Sequence, residues 1–151
     1  MAGHRLGTKE LESASLTVEE ISEAAAVPVF DETRGRAVEM YVSLKEGLQP
    51  SRAVEDKVTA ATEHQIGKIG RPMHVWIVPD VPKTRSGKIM RRVLAGISNF
   101  ADAGDVSTLA NPETVDDIKR HIQSEKLAHG AVPRQLTPEE TAEIRAFGHQ
   151  E

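Results

Sequence analysis

Apolar and polar residues alternate along residues 38–45, VEMYVSLK. This period of two predicts a β-strand with one face against the core and the other face in water. Two other short segments are rich in apolar residues and also predict strands: residues 21–30, and residues 75–78, which Pro79 follows. Because Pro28 cannot donate to a strand ladder, it predicts that the first of these segments lies near a strand end or at a sheet edge.

Segments with helical spacing of apolar residues separate and follow these strands. Helices are predicted over residues 8–16, 51–67 and 88–97. A further helix is predicted to be capped by Asn111, and a last one runs from the capping box at residues 137–140 to about Phe147. The order helix, strand, strand, helix, strand, helix predicts an α+β fold. We expect a small sheet of about three strands flanked by helices, followed by a mostly helical C-terminal extension.

The composition of the chain changes after residue 97. Residues 98–110 are small and polar, which is typical of a connector. Positions 1–97 hold 14 Lys and Arg against 13 Asp and Glu, whereas positions 98–151 hold 5 against 10. The formal net charge of −4 therefore arises in the C-terminal part, and an acidic tail follows a nearly neutral domain.

The chain has the size and composition of one globular domain, with 151 residues of which 38% are apolar. It contains no Cys, which excludes disulfides, thiolate zinc sites and cysteine nucleophiles. No apolar run reaches the length of a membrane span, and the N-terminus lacks the apolar stretch of a signal peptide. We therefore expect a cytoplasmic protein that does not enter a membrane.

A basic cluster is the most conspicuous chemical feature. It consists of Lys83, Arg85, Lys88, Arg91 and Arg92. Nucleic-acid binding is one interpretation, but aromatic residues make up only 3% of the chain and no nucleic-acid-binding motif surrounds the cluster.

The loop at residues 82–88 is not a Walker motif. Pro82 and Ile89 occupy the positions where that motif has its first Gly and its Ser or Thr. What remains is a glycine-containing loop that delivers Lys88 to a helix start, which suits a phosphate or carboxylate anion. The alternative is a solvated basic helix face.

Two segments resemble motifs of one enzyme family. Residues 3–8, GHRLGT, and residues 82–92, PKTRSGKIMRR, are similar to the hinge-proximal motif and the terminal lysine motif of the AMP-forming acyl-CoA synthetases, in the adenylate-forming superfamily. The acetyl-CoA synthetase branch is the nearest resemblance, and residues 105–112, DVSTLANP, resemble its C-terminal extension. The resemblance covers residues 3–126.

The resemblance implies a domain of a larger enzyme. Residues 1–97 correspond to the mobile C-terminal lid domain, residues 98–126 to the extension, and residues 127–151 to an extra acidic tail with a short helix. The lid's partner is then its own N-terminal adenylate-binding domain. That domain makes most of the contacts to ATP or AMP, CoA, Mg²⁺ and the acetate or other short-chain carboxylate. The isolated chain is therefore expected to be inactive.

Three residues match functional positions of the family. Lys88 matches the lysine that assists adenylation, since an ammonium group offsets the negative charges that meet when a carboxylate attacks a phosphate. Arg5 matches an arginine that contacts the nucleotide phosphate, and Gly3 belongs to the loop that approaches CoA. Lys88 also matches the family's site of reversible acetylation, which implies a protein lysine acetyltransferase and a deacetylase as partners.

Other positions depart from the family pattern. A cation site of the family uses main-chain carbonyl groups that correspond to Leu16 and Ile21, although Val18 stands where the family has a His. Glu63 occupies a position where family members place a basic residue for the CoA phosphate. A different interpretation keeps the fold without the reaction: a stand-alone interaction or regulatory module, or a substrate domain for an acetyltransferase.

Overall fold

The computed structural model describes residues 8–31, 35–68, 71–102, 106–133 and 135–146. In these residues the helices and strands are, in order, α1 (Thr8–Leu16), β1 (Ile21–Asp31), β2 (Gly35–Leu44), α2 (Arg52–Ile66), β3 (His74–Ile77), α3 (Arg91–Asn99), α4 (Pro112–Ala128) and α5 (Pro138–Ala146). The α+β class and the predicted order of the first six elements are confirmed. The mostly helical C-terminal extension, everything after α3, contains α4 and α5; α5 lies in residues 127–151, which the family resemblance treats as an extra tail.

The three strands form one mixed sheet with the order β1-β2-β3. β1 and β2 pair antiparallel, and β2 and β3 pair parallel. The helix α2 lies between β2 and β3 in the chain, as the crossover between parallel neighbours requires. β2 is therefore the central strand and β1 an edge strand, so of the two positions expected for Pro28, a strand end or a sheet edge, the structure shows the sheet edge.

Side chains complete the outer edge of β1. Ala26 N–H donates to Glu12 Oε2 at 2.9 Å, and Phe30 N–H donates to Asn99 Oδ1 at 2.9 Å. Pro28, between them, has no N–H, and its carbonyl oxygen accepts from Asn99 Nδ2 at 2.9 Å. These bonds satisfy backbone groups that an edge strand otherwise presents to another chain. They also attach α1 and α3 to the sheet.

Helices cover both faces of the sheet. On one face, α1 and α2 pack against Ala24, Met40 and Val42. On the other face, α3 and α4 cover Tyr41 and Trp76, and α5 packs against α3 within the same apolar cluster. The residues of the two faces alternate along each strand, because successive strand side chains point in opposite directions. The second apolar cluster includes extension residues, namely Val115, Ile118, Ile122 and Ile144.

The expectation that β2 has one face in water is wrong. Glu39, Tyr41 and Ser43 are the polar positions of the alternating pattern that lie in β2, and all three are buried; Lys45, the fourth, follows the strand and is exposed. A period of two identifies two faces of a strand, but it does not reveal what covers them. Here the covering helices come from residues 91–146, far along the chain.

A polar network occupies this second face. Glu39 Oε1 accepts hydrogen bonds from Trp76 Nε1 at 2.9 Å and from Ser98 Oγ at 2.7 Å, and Glu39 Oε2 accepts one from Lys126 Nζ. The Tyr41 hydroxyl lies 2.6 Å from Ser98 Oγ. The buried carboxylate thus has a cation and two neutral donors, which a charge in a dry core requires. Lys126 thereby links α4 to the central strand.

The predicted helix ends are confirmed where capping residues specify them. The Ser51 hydroxyl oxygen accepts Val54 N–H at the start of α2, and Gly67 follows its end with a φ of 96°. At α5, Thr137 and Glu140 form the reciprocal bonds of a capping box, at 3.0 and 3.1 Å. Among the described residues, no helix is both long enough and apolar enough to cross a bilayer.

Candidate functional site

Lys88 belongs to a short hairpin. Lys83 and Ile89 pair as an antiparallel bridge, and Thr84 N–H donates to the Lys88 carbonyl oxygen at 2.8 Å. Gly87 has a φ of 93°, a left-handed conformation that glycine adopts without steric cost. Its N–H donates to the Thr84 carbonyl oxygen at 2.9 Å, and the Thr84 hydroxyl oxygen accepts Lys88 N–H at 3.1 Å. Thr84 therefore holds both the turn and the Lys88 backbone.

The expected helix over residues 88–97 begins later than predicted. α3 starts at Arg91, with Met90 as its N-cap. The reason is that Met90 N–H donates to the Pro82 carbonyl oxygen at 2.8 Å, so this stretch closes the hairpin instead of starting a helical turn. The prediction of Lys88 at a helix start is therefore wrong. Its ammonium group is presented by a hairpin turn, not by a helix N-terminus.

The two lysines of the hairpin have different environments. Lys83 Nζ lies 3.0 Å from a carboxylate oxygen of Asp80 and 3.0 Å from one of Glu23. The hydrogen bond to Asp80, together with Glu23, raises the pKa of Lys83 above its ordinary value, although burial opposes the shift. Lys83 thus attaches the base of the hairpin to β1. Lys88 and Arg85, nearer the turn, are exposed.

Arg91 is also engaged by a carboxylate. It forms two hydrogen bonds to Glu12, each of 2.7 Å, and both side chains are largely buried. This bidentate geometry matches the planar guanidinium to a carboxylate. The basic cluster is therefore not one solvent-facing patch, because Lys83 and Arg91 both face acidic groups. This arrangement does not favour a nucleic-acid interface.

A family model described as the AMP-binding enzyme C-terminal domain matches residues 10–88, more than half of the chain. The chain belongs to this family. The matched segment of this AMP-binding C-terminal domain ends at Lys88, so it contains the sheet and the first part of the hairpin. The helices α3, α4 and α5 follow it in the chain.

This AMP-binding C-terminal domain is similar to curated acetyl-CoA synthetases. It is 41% identical over 130 residues to the enzyme of Bradyrhizobium diazoefficiens, which covers 85% of this chain and 20% of that enzyme. It is 46% identical over 122 residues to acetyl-CoA synthetase 2 of Candida albicans, which covers 78% of this chain and 18% of that enzyme. The chain therefore spans about one fifth of the length of these relatives.

Solved structures support the same family at lower identity. The acyl-CoA synthetase of Brucella canis matches with 31% identity and a TM-score of 0.59, over 64% of this chain and 18% of that chain. The anthranilate CoA ligase AuaEII, in complex with anthranoyl-AMP, matches with 26% identity and a TM-score of 0.59, over 65% of this chain and 19% of that chain. Both matches again cover a minor part of the solved protein.

The other predicted site residues of this AMP-binding C-terminal domain are dispersed along the chain. Gly3 and Arg5 lie outside the described residues. Leu16 is the last residue of α1 and Ile21 is the first of β1, and Glu63 lies in the last turn of α2. In the parts of the chain that the structure describes, His, Asp and Glu side chains form no group of three or more that would hold a metal ion. The roles of these residues stay predictions.

One residue beside the site was assigned only a local role by the sequence. Asn111 was predicted to cap α4, but its side chain forms no capping bond. It contacts the base of the Lys88 hairpin instead, at Val81 and Lys83. The sequence feature that could have indicated this contact is an amide side chain, which both donates and accepts hydrogen bonds, at the junction between the connector and a helix.

Proposed function

We propose that this chain is the C-terminal domain of an AMP-forming acetyl-CoA or other short-chain acyl-CoA synthetase, and that Lys88 assists its adenylation step. The observation that carries the proposal is the environment of Lys88. Lys88 is exposed on a hairpin, and the carboxylate contacts of Lys83 and Arg91 attach the two ends of that hairpin to the rest of the domain. An accessible ammonium group on a well-supported hairpin suits a domain that inserts a cation into the active site of its partner.

The chemistry explains why a lysine is needed. In the first half-reaction the carboxylate of acetate attacks the α-phosphate of ATP, which forms acetyl-adenylate and releases pyrophosphate. Both reactants are anionic, so a positioned ammonium group stabilises the charge that develops in the transition state. The N-terminal adenylate-binding domain would hold ATP, its Mg²⁺ ion and acetate. This chain would contribute Lys88 and, through Arg5, a further contact to the nucleotide phosphate.

The second half-reaction uses other residues of the same domain. The thiol of CoA attacks the acyl carbon of acetyl-adenylate, and AMP leaves. In our proposal the domain rotates after adenylation, withdraws Lys88 and presents the loop around Gly3 to the CoA channel. A glycine there lets the backbone approach the pantetheine chain closely. The carbonyl groups of Leu16 and Ile21 are the proposed cation ligands of this domain.

Lys88 is also the proposed site of regulation. Acetylation would convert its ammonium group to a neutral amide and remove the charge that adenylation needs. An exposed position on a hairpin turn makes the side chain accessible to a protein lysine acetyltransferase, and a deacetylase would restore the charge. Lys83 offers an internal comparison, since two carboxylates engage its ammonium group.

The test joins the whole chain to the N-terminal part of the Bradyrhizobium diazoefficiens acetyl-CoA synthetase. Acetate-dependent exchange between ATP and pyrophosphate measures adenylation. CoA-dependent release of AMP from supplied acetyl-adenylate measures the second half-reaction. We expect Lys88→Ala to lower the exchange rate by about 100- to 1,000-fold, the range found when one transition-state donor is removed. The second half-reaction should change little. Acetylation of Lys88 in the wild-type fusion, monitored by mass spectrometry, should lower the exchange rate as Lys88→Ala does.

Lys119→Ala is the matched control, because Lys119 is an exposed lysine on α4 outside the hairpin. It should leave both half-reactions within about twofold of the wild type, as expected for a surface change. If the wild-type fusion exchanges pyrophosphate and Lys88→Ala does so equally well, Lys88 is not the adenylation residue. A folded wild-type fusion without exchange would favour an interaction module that lacks the reaction.

A further inference from the structure

The C-terminal extension pairs with the Lys88 hairpin through a β-bridge. Leu109 pairs with Thr84 as an antiparallel bridge, beside the bridge between Lys83 and Ile89. Ala110 N–H donates to the Lys83 carbonyl oxygen at 2.8 Å. These contacts come from the segment just before α4, which follows the part of the chain that the family model matches.

Asn111 completes this contact with its side chain. Its Oδ1 accepts Lys83 N–H at 3.1 Å, and its Nδ2 donates to the Val81 carbonyl oxygen at 3.0 Å and to Asp80 Oδ2 at 3.2 Å. Asp80 in turn lies 3.0 Å from Lys83 Nζ. The amide therefore binds three groups within residues 80–83, at the base of the hairpin: a backbone acceptor, a backbone donor and the carboxylate that engages Lys83.

The position of Asn111 makes this use of its side chain informative. Asn111 is the N-cap residue of α4 and Pro112 follows it. An Asn at an N-cap ordinarily accepts a hydrogen bond from an N–H of the first helical turn, yet here the side chain forms no such bond. The helix start goes without this bond, and both amide N–H groups and the amide oxygen instead bond to residues 80–83.

We propose that Asn111 is a positioning residue for Lys88. It holds residues 80–83, from which the hairpin projects, so that the Lys88 ammonium group reaches the reacting phosphate at a defined place. The inference rests on the proposed function, because it assigns the residue to the adenylation step. A displacement of about 1 Å in a reacting group can lower a rate by about 100-fold. Loss of the Asn111 amide would therefore reduce adenylation without removing any group that touches the substrate.

The kinetic test uses Asn111→Ala in the same fusion. We expect the kcat of acetate-dependent exchange to fall by about 10- to 100-fold, with the KM for ATP nearly unchanged. The CoA-dependent half-reaction should stay within about twofold, since it does not use Lys88. In the Lys88→Ala background, Asn111→Ala should cause no further loss of exchange, because a positioning residue acts only through the group it positions.

Thr137→Ala is the matched control. It removes the side-chain cap of α5 but does not touch the hairpin, so neither half-reaction should change by more than about twofold. Equal losses in both half-reactions of Asn111→Ala would overturn the inference, since they would indicate general destabilisation. An additional loss in the Lys88→Ala background would overturn it as well.

Amide hydrogen exchange on the full 151-residue chain provides a readout that needs no activity. We expect Asn111→Ala to accelerate exchange of the amides of Thr84, Gly87 and Met90, whose bonds close the hairpin, by about tenfold or more. The amides of α2 should keep their wild-type rates. Unchanged hairpin amides would overturn the inference even with active enzyme. If ATP–pyrophosphate exchange by the fusion did not depend on Lys88, the proposed function would be wrong. The hydrogen-exchange rates of the hairpin amides would still decide whether Asn111 holds the hairpin.

Discussion

At the scale of single residues, the surroundings of each charged or polar group decide its role. Lys83 and Lys88 stand five positions apart, yet Lys83 faces two carboxylates and Lys88 lies exposed. Glu39 differs from both, since it is only 2% exposed and receives a cation and two neutral donors. Residue type alone therefore does not distinguish a cation that faces carboxylates from one that lies exposed.

Tyr41 gives a direct test of the buried network, because it is the only tyrosine of the chain. Burial, reinforced by the charge of Glu39, raises the pKa of its phenol well above the usual value of 10.0. The folded state keeps the proton, whereas the unfolded chain releases it near pH 10. The stability that this group contributes is therefore fully present below about pH 10 and decreases as the pH rises above it. In an alkaline titration, we expect tyrosinate absorbance to appear only together with unfolding.

The control for this titration is within the same molecule. Trp76 is the only tryptophan, so its fluorescence reports unfolding in the same sample. In guanidinium chloride the unfolded chain should titrate with a midpoint of about 10, and Tyr41→Phe should abolish the absorbance change. Tyrosinate that forms near pH 10 while the fluorescence of Trp76 stays native would show that Tyr41 is not buried in this network.

At the scale of elements, local signals were sufficient for some features and not for others. Ser51 and Gly67 specified both ends of α2, since a cap is a contact between residues close in sequence. The coverage of β2 was missed, because the helices over Glu39 lie at positions distant in the chain. The start of α3 was placed too early, since the bond from Met90 to Pro82 depends on the hairpin. For the site, the sequence therefore predicted Lys88 but neither its hairpin nor the contact from Asn111.

The attachment of α4 to the sheet depends on the ion pair between Lys126 and Glu39. Their side chains are 10% and 2% exposed, so water does not compensate for the loss of either partner. We expect Lys126→Met to lower the free energy of unfolding by about 3–5 kcal/mol, because it leaves an unpaired charge in the core. Urea denaturation followed by Trp76 fluorescence measures this change. The double variant Glu39→Gln with Lys126→Met should recover much of the loss.

An exposed ion pair on the same helix is the matched control. Arg120 and Asp117 also lie on α4, at 2.8 Å, but their side chains are 76% and 73% exposed. Arg120→Ala should therefore change the free energy of unfolding by no more than about 1 kcal/mol. If Lys126→Met is equally mild, Lys126 does not stabilise the docked position of α4.

At the scale of the whole molecule, the C-terminal extension and the sheet share the second apolar cluster, on the Tyr41 face of the sheet. Ile118 and Ile122 of α4 and Ile144 of α5 belong to the same cluster as Tyr41 and Trp76. The extension also pairs with the hairpin, through the bridge between Leu109 and Thr84. The lysine motif is thus supported from two directions, by β1 through Lys83 and by the segment before α4. This arrangement makes the extension part of the structure that presents Lys88.

Ile144 tests whether α5 belongs to the cooperative unit. Its side chain is fully buried, as is that of Ile122. We expect Ile144→Ala and Ile122→Ala each to lower the free energy of unfolding by about 2–5 kcal/mol, the usual cost of this truncation in a packed core. Both should shift one urea transition without changing its slope, since the slope depends on the surface exposed on unfolding.

Val132→Ala is the control. Val132 is 83% exposed, so this change should alter the free energy of unfolding by no more than about 0.5 kcal/mol. A wild-type transition in Ile144→Ala, beside a destabilised Ile122→Ala, would mean that α5 does not contribute to the fold that carries the hairpin.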